Sequence, residues 1–109
     1  MPPPHKRTLV EESELQLGKR YFKDGYYKKA MHTLLPLACD GVPDAQYAVG
    51  YMYYYGLGVA QDTDVGYFWI QRSARQHFIP AEEALRLINS GQNTGGRITN
   101  NYKLKTTQE

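Results

Sequence analysis

Residues 45–59, AQYAVGYMYYYGLGV, decide the fold of this 109-residue chain. Small residues recur through the first part of the stretch, and Gly56 and Gly58 follow them. Glycine ends a helix readily because, without a Cβ, it adopts positive φ at little cost. Asp62 comes next, and its side chain can accept from the free amides of a following helix. The stretch therefore predicts a helix, a glycine-containing loop and a second helix.

Five helices are predicted over the whole chain, because apolar residues recur at helical spacing between glycine and proline positions. Their bounds are 11–24, 26–39, 43–55, 63–76 and 80–90. Pro36 lies inside the second helix, where it removes a backbone donor and is expected to bend the helix. No alternating apolar and polar run is long enough for a strand. The chain is therefore predicted to be all-α, built from short antiparallel hairpins.

The spacing of small residues repeats along the chain. A shift of 36 residues places Ala45 on Ala81, and a shift of 32 places Gly18 on Gly50. Small residues at fixed helical positions let neighbouring helices approach closely, as in a solenoid of helix pairs. The repeat therefore predicts stacked helical hairpins with one continuous core.

The same residues resemble a Sel-one-like repeat, a branch of the tetratricopeptide-repeat superfamily. The positions that carry the resemblance are Ala45, Gly50, Tyr53, Gly56, Gly58, Val59, Asp62, Trp69, Ala74 and Ala81. A degenerate unit at 15–44 lacks the Gly-x-Gly-Val loop and has Thr33 in place of the tryptophan, and a third unit stops after one helix. The resemblance implies a short right-handed α/α solenoid of about two helix-turn-helix repeats plus a C-terminal capping helix.

The resemblance also implies a function. Such repeats are non-catalytic adaptors or scaffolds for protein–protein interaction, here expected in a bacterial multiprotein assembly such as a secretion, envelope or host-interaction system. Three alternatives stay open. The chain could be a self-associating structural subunit that forms a homo-oligomer, a regulator that occludes a partner protein, or a basic-tailed accessory at a nucleic acid or membrane surface.

The third helix carries a stripe of tyrosines that the repeat pattern does not require. At 100° per residue, Tyr47, Tyr51, Tyr54 and Tyr55 share one face, separate from the face formed by the small apolar residues. One interpretation is that the stripe packs against the first hairpin. The other is that it lines a concave face and binds a partner, because tyrosine combines a large contact area with few rotatable bonds. These four tyrosines are the candidate protein-binding residues.

Charge is uneven along the chain. The net charge of +2 combines +2 from residues 1–10, +2 from residues 91–109 and −2 from residues 11–90, which hold eight basic and ten acidic residues. A nucleic-acid surface needs basic residues clustered on one folded face, so nucleic acid is disfavoured as a partner. The ends are predicted to be a flexible Pro-rich basic arm (1–10) and a flexible polar tail (91–109) on a repeat domain at 11–90.

Aromatic residues also gather around the first hairpin turn, at Tyr21, Phe22, Tyr26 and Tyr27, with lysines among them. Aromatic rings interleaved with cations can stack nucleic-acid bases. The composition favours the other interpretation, in which the rings close the hairpin while the lysines solvate its outside.

No residues point to catalysis, and we expect no catalytic site, cofactor or metal. The three histidines lack metal-ligand spacing, and Cys39 has no base nearby in sequence. No run approaches the roughly 18–20 apolar residues of a membrane span. The N-terminus lacks the apolar stretch of a signal peptide, which predicts a cytoplasmic location, or a periplasmic or secreted one if the sequence is a trimmed mature form.

Overall fold

Five α-helices make up residues 6–90, the part of the chain that the computed structural model describes. They are Leu9–Asp24 (α1), Tyr27–Cys39 (α2), Pro43–Tyr55 (α3), Thr63–Ala74 (α4) and Ile79–Asn89 (α5). Residues 6–90 contain no strand. Each helix packs against the next in chain order, as expected for a short helical repeat solenoid. The predicted all-α fold is confirmed.

The first helix begins at Leu9, two residues earlier than predicted. Thr8 and Glu11 cap it reciprocally: Glu11 N–H donates to Thr8 Oγ1 at 3.0 Å, and Thr8 N–H donates to the Glu11 carboxylate at 3.2 Å. Residue 10, the predicted end of the N-terminal arm, therefore lies inside α1. Residues 1–5 of that arm and the whole predicted tail, 91–109, lie outside the described residues.

The other bounds differ from the predicted ones by no more than two residues. α2 continues through Pro36 to Cys39. α4 ends at Ala74, two residues before the predicted end at 76, because Gln76 and His77 bond to carbonyls three residues back and His77 adopts φ 65°. α5 begins at Ile79, one residue before Pro80. Proline fits the first turn of a helix because N–H groups there have no intrahelical acceptor, so its missing N–H costs no hydrogen bond.

The central helix of the fold is α3. Every residue from Asp44 to Met52 is buried, because α2 and α4 cover two of its sides. Around it lie buried side chains from each other helix: Leu15 in α1, Leu34 in α2, Ile70 in α4, and Ala81 and Ala84 in α5. One core thus runs through all five helices, and the tyrosines of α3 reach solvent only at the C-terminal end of that helix, from Tyr53 to Tyr55.

Candidate protein-binding surface

The structure places two of the four candidate tyrosines inside the core. Tyr47 is 0% exposed and Tyr51 is 4% exposed. The Tyr51 ring lies 5.7 Å from the ring of Phe22 in α1, and the Tyr47 ring lies 5.8 Å from that of Phe78, the residue that precedes α5. Tyr51 thus packs against the first hairpin and Tyr47 against the segment before α5, and both are buried in the folded chain.

These buried rings form a continuous aromatic contact through the fold. Tyr47 and Tyr51 lie 6.1 Å apart, and Phe22 continues the row to Tyr27 at 5.6 Å in a T-shaped contact. Aromatic pairs at such distances contribute about 0.5–1.5 kcal/mol each beyond the area they bury. The row joins α1, α2 and α3 to the start of α5, so part of the tyrosine excess stabilises the repeat stack itself.

The other two candidate tyrosines, Tyr54 and Tyr55, lie half-buried at the C-terminal end of α3. The Tyr55 ring lies 4.8 Å from the buried Tyr51 ring and 5.2 Å from the Tyr54 ring, so one buried ring supports it. The candidate surface is thereby reduced from a stripe along α3 to the end of that helix. Helical angles alone could not show this, because they do not indicate which faces the neighbouring helices cover.

Other tyrosines join Tyr54 and Tyr55 at the same end of the fold. α1 and α3 both end there, and Gly58 of the following loop packs against Tyr27 at the start of α2. Tyr26 is 57% exposed, and the Lys29 ammonium lies 5.4 Å from its ring centroid and 5.7 Å from that of Tyr21. We name Tyr21, Tyr26, Tyr54 and Tyr55 the aromatic end. The composition favours a hairpin-closing role for Tyr26 over base stacking. Helix periodicity does not predict its exposure, because Tyr26 lies in the turn between α1 and α2.

Two glycines allow α3 and α4 to approach closely. A Cβ on Gly50 would lie 2.8 Å from the carbonyl oxygen of Gly66, and a Cβ on Gly66 would lie 2.8 Å from the carbonyl oxygen of Gly50. Any larger residue at either position meets backbone, which cannot rotate aside as a side chain can. The repeat position Gly50 is therefore the contact point of the α3–α4 hairpin. Two other repeat positions, Ala45 in α3 and Ala81 in α5, are small residues that lie fully buried.

The loop between α3 and α4 also depends on repeat positions. Gly56 and Gly58 have φ of 72° and 74°, and the Asp62 side chain accepts from Val65 N–H at 3.1 Å to start α4. The Tyr53 carbonyl accepts from Asp62 N–H at 2.8 Å, which closes the loop. Three more repeat side chains, Val59, Trp69 and Ala74, pack half-buried against the core.

Comparison with known proteins identifies this hairpin. The family model of the Sel1 repeat matches residues 43–78, which span α3, the glycine loop and α4. Residues 43–78 are thus similar to the Sel1 repeat, and we call this segment the Sel1 repeat of the chain. Sel1 repeats are non-catalytic modules of protein–protein interaction.

Chitin synthase regulatory factor 3 of the fission yeast Schizosaccharomyces pombe is similar to part of the chain. The two are 46% identical over 48 residues, which is 44% of this chain and 5% of the yeast protein. The chain thus spans only about one twentieth of the length of that relative. No solved structure matches the chain.

An ionic cluster ties the start of the Sel1 repeat to the segment before α1. Asp44, in the first turn of α3, accepts from Arg7 at 2.7 Å and lies 3.0 Å from the Lys19 ammonium. Arg7 also bonds to Glu12 at 2.8 Å; that hydrogen bond is the main cause of the raised pKa of Arg7 and the lowered pKa of Glu12. Sequence reasoning missed this cluster, since Arg7 and Asp44 are separated by 37 residues and no local pattern relates them.

Hydrogen bonds from Ser73 and Gln76 hold the C-terminal end of α4 against the start of α3. Gln76 Nε2 donates to the Gly41 carbonyl at 2.7 Å and to Gln46 Oε1 at 3.1 Å, while Ser73 Oγ donates to the Pro43 carbonyl at 2.8 Å. These bonds satisfy polar groups inside the core, as stability requires. They are structural contacts with no substrate-facing geometry.

The described residues offer little to a small ligand. Within 6–90, no three His, Cys, Asp or Glu side chains gather where they could hold a metal ion. An open groove of about 460 Å³ runs along α2 beside Gly58, with an apolar floor formed by Met31, Leu35 and Pro36. None of the five helices has both the length and the apolar character needed to cross a membrane.

Proposed function

We propose that this chain is a non-catalytic adaptor that binds another protein through the aromatic end and so connects members of a multiprotein assembly. The observation that carries the proposal is the Sel1 repeat at residues 43–78. Its first helix, α3, ends in the half-buried Tyr54 and Tyr55. The division into a Pro-rich basic arm at 1–10, a repeat domain at 11–90 and a polar tail at 91–109 stays a prediction from sequence, except that residues 9 and 10 lie in α1.

The physical properties of the aromatic end support this role. The Tyr55 ring rests on the buried Tyr51 ring at 4.8 Å and contacts the Tyr54 ring at 5.2 Å, so these two rings lose little conformational freedom when a partner covers them. Tyrosine is enriched at the energetic centres of protein interfaces because it buries a large apolar area and keeps a polar tip. Lys29 lies against Tyr21 and Tyr26, and exposed Lys23 and Lys28 flank the same turn. The surface therefore suits a partner segment with apolar side chains and an acidic border.

The test is a quantitative comparison of captured proteins. Wild-type chain and the double variant Tyr26→Ala/Tyr54→Ala are used as bait in an extract of the native cells, and the bound proteins are cross-linked and measured by mass spectrometry. We expect the captured amount of each specific partner to be at least about tenfold lower with the variant than with wild type, since two interface aromatics each contribute about 1 kcal/mol or more to binding. Cross-links in the wild type should map to the aromatic end.

The matched control is Tyr67→Ala, which removes a half-buried tyrosine on α4 that is not one of the four residues of the aromatic end and whose hydroxyl donates to Asn89 at 3.3 Å. This variant should retain partner capture. Thermal unfolding of every bait confirms that it is folded. Equal capture by wild type and Tyr26→Ala/Tyr54→Ala would contradict the proposed surface.

A regulatory role is the second candidate, in which the bound partner is an enzyme that the chain occludes or controls. The observation that favours it is the similarity to a regulatory factor of chitin synthase, which covers 44% of this chain. An activity assay of a captured enzyme, with and without the chain, distinguishes a regulator from a passive adaptor. The bacterial setting gains no support from a fungal relative, and the cytoplasmic location stays a prediction from sequence; the adaptor role depends on neither.

A further inference from the structure

The outer face of α4 carries a stripe of four exposed residues that the Sel1 fold does not use. Asp64, Phe68, Arg72 and Arg75 follow one another at one-turn intervals, and Phe68, a large apolar side chain, is 48% exposed at the centre. We name these four residues the α4 stripe. It lies on a different helix from the aromatic end.

Contacts within α4 hold the centre of the stripe in place. The Phe68 ring lies 5.3 Å from the Trp69 ring in a T-shaped contact, and the Arg72 guanidinium lies 5.5 Å from the Phe68 centroid and 5.8 Å from that of Trp69. Arg72 is thus pre-organised beside an exposed ring. Within residues 6–90, none of the three charged groups of the stripe lies within 4 Å of an opposite charge.

The charge order of the stripe is complementary to itself. Asp64 lies four residues before Phe68 and Arg72 lies four residues after it, so each charge is about 6 Å from the ring position along the helix axis. A two-fold axis through Phe68 would bring two α4 helices together in antiparallel directions. Asp64 of each copy would then face Arg72 of the other, with Arg75 as a second cation nearby, and the two Phe68 rings would meet at the axis.

We propose that the α4 stripe is an isologous interface through which two copies of this chain form a symmetric dimer. A parallel arrangement of two copies places like charges together and is disfavoured, so the stripe also specifies orientation. A single pair of helices buries a small area, so the dimer is weak, with a dissociation constant of about 10–100 μM. Because its charges are near the surface, high salt weakens it.

The experiment is sedimentation velocity of the full chain from about 1 μM to 1 mM, with charge reversals in the stripe. Asp64→Arg and Arg72→Asp should each raise the dissociation constant at least about tenfold, since each creates two like-charge contacts across the axis. The double variant Asp64→Arg/Arg72→Asp restores opposite charges and should dimerise about as well as wild type. The decisive comparison is between Arg72→Asp and the double variant, because both lack the Arg72 contact with Phe68.

Two controls make the result specific. Glu14→Arg and Arg20→Asp make the same charge changes at exposed positions of α1 and should leave the dimer intact. Circular dichroism follows folding, because both stripe reversals oppose the helix dipole and lower the melting temperature slightly. The double variant carries the lowered melting temperature of both single reversals. Its recovery of dimerisation therefore cannot be explained by a more stable fold.

A chain that stays monomeric to 1 mM, about tenfold above the expected range, would overturn the proposal. A dimer that Asp64→Arg leaves unchanged, or one that the double variant does not restore, would also overturn it. Neither outcome affects the proposed adaptor function, whose test uses the aromatic end.

Discussion

Replacing Gly50 with alanine should loosen the Sel1 hairpin. The added Cβ would lie 2.8 Å from both the Gly66 carbonyl oxygen and Ile70 Cγ1, and 3.0 Å from the Ile70 backbone nitrogen. Two of these three atoms belong to the backbone of α4, so no rotation of a side chain can relieve the clash. α3 and α4 would have to move apart, which opens space beside the buried Ile70.

The size of the effect follows from two opposing contributions. Overpacking against backbone costs about 3 kcal/mol, the upper part of the usual range, because rigid atoms are met. Alanine offsets about 1 kcal/mol of this, since it is the better helix former. The free energy of unfolding should therefore fall by about 2 kcal/mol, and for a domain of this size the melting temperature should fall by about 8–16 °C.

The assay is thermal unfolding followed by circular dichroism and by the fluorescence of Trp69, the single tryptophan, which lies next to Ile70. Gly25→Ala is the matched control, because nothing lies within 4 Å of a Cβ added there, so the loss should be limited to the cost of positive φ, about 1 kcal/mol. A Gly50→Ala protein as stable as wild type, or more stable than Gly25→Ala, would refute the close-approach argument.

Two further predictions concern single positions. His77→Gly should raise the melting temperature by about 2–6 °C, because glycine relieves the strain of φ 65° at a position whose 70%-exposed side chain adds little. Acid should destabilise the protein through Glu12, whose pKa the Arg7 hydrogen bond lowers below its ordinary value of 4.5. The stabilisation is present above that value and disappears as the pH falls through the lower folded-state pKa, so wild type should lose more melting temperature between about pH 5 and 3 than Glu12→Gln does.

Each prediction has its own control. His77→Ala keeps a Cβ and should gain nothing, so a His77→Gly protein no more stable than His77→Ala would contradict the strain argument. Glu14→Gln removes an exposed carboxylate of the same helix that forms no ion pair among residues 6–90. If Glu14→Gln reduces the loss of melting temperature on acidification as much as Glu12→Gln does, the acid sensitivity of wild type does not come from the contact between Glu12 and Arg7.

Local signals predicted the helices well because their causes are local. Asp62 caps α4, Gly56 ends α3 and Pro43 begins it, and each acts within one turn of its own position. The differences at helix ends also lie within one turn. Thr8 and Glu11 form a capping box that extends α1 to Leu9, beyond the start that the spacing of apolar residues predicts. The repeat spacing predicted that Gly50 lies at a close helix crossing, since glycine is rarely placed in mid-helix without a packing reason.

The candidate site was predicted only in part. Helical angles group Tyr47 with Tyr54 on one face of α3, yet the first is fully buried and the second is half-buried. The difference arises because Phe22 and Phe78, from α1 and the start of α5, cover the middle of that face. Burial of this kind depends on residues far apart in the chain, and no single-helix pattern contains it.

Sequence patterns therefore specify a set of helical hairpins, with a segment similar to the Sel1 repeat at residues 43–78. Caps, glycine turns and small residues act over a few residues and can be recognised one position at a time. The packed helices are needed to show which tyrosines lie in the core and which form the aromatic end, that Asp44 contacts Arg7 and Lys19, and that the α4 stripe is exposed. These outcomes follow from how the helices pack, and packing is settled by all five helices together.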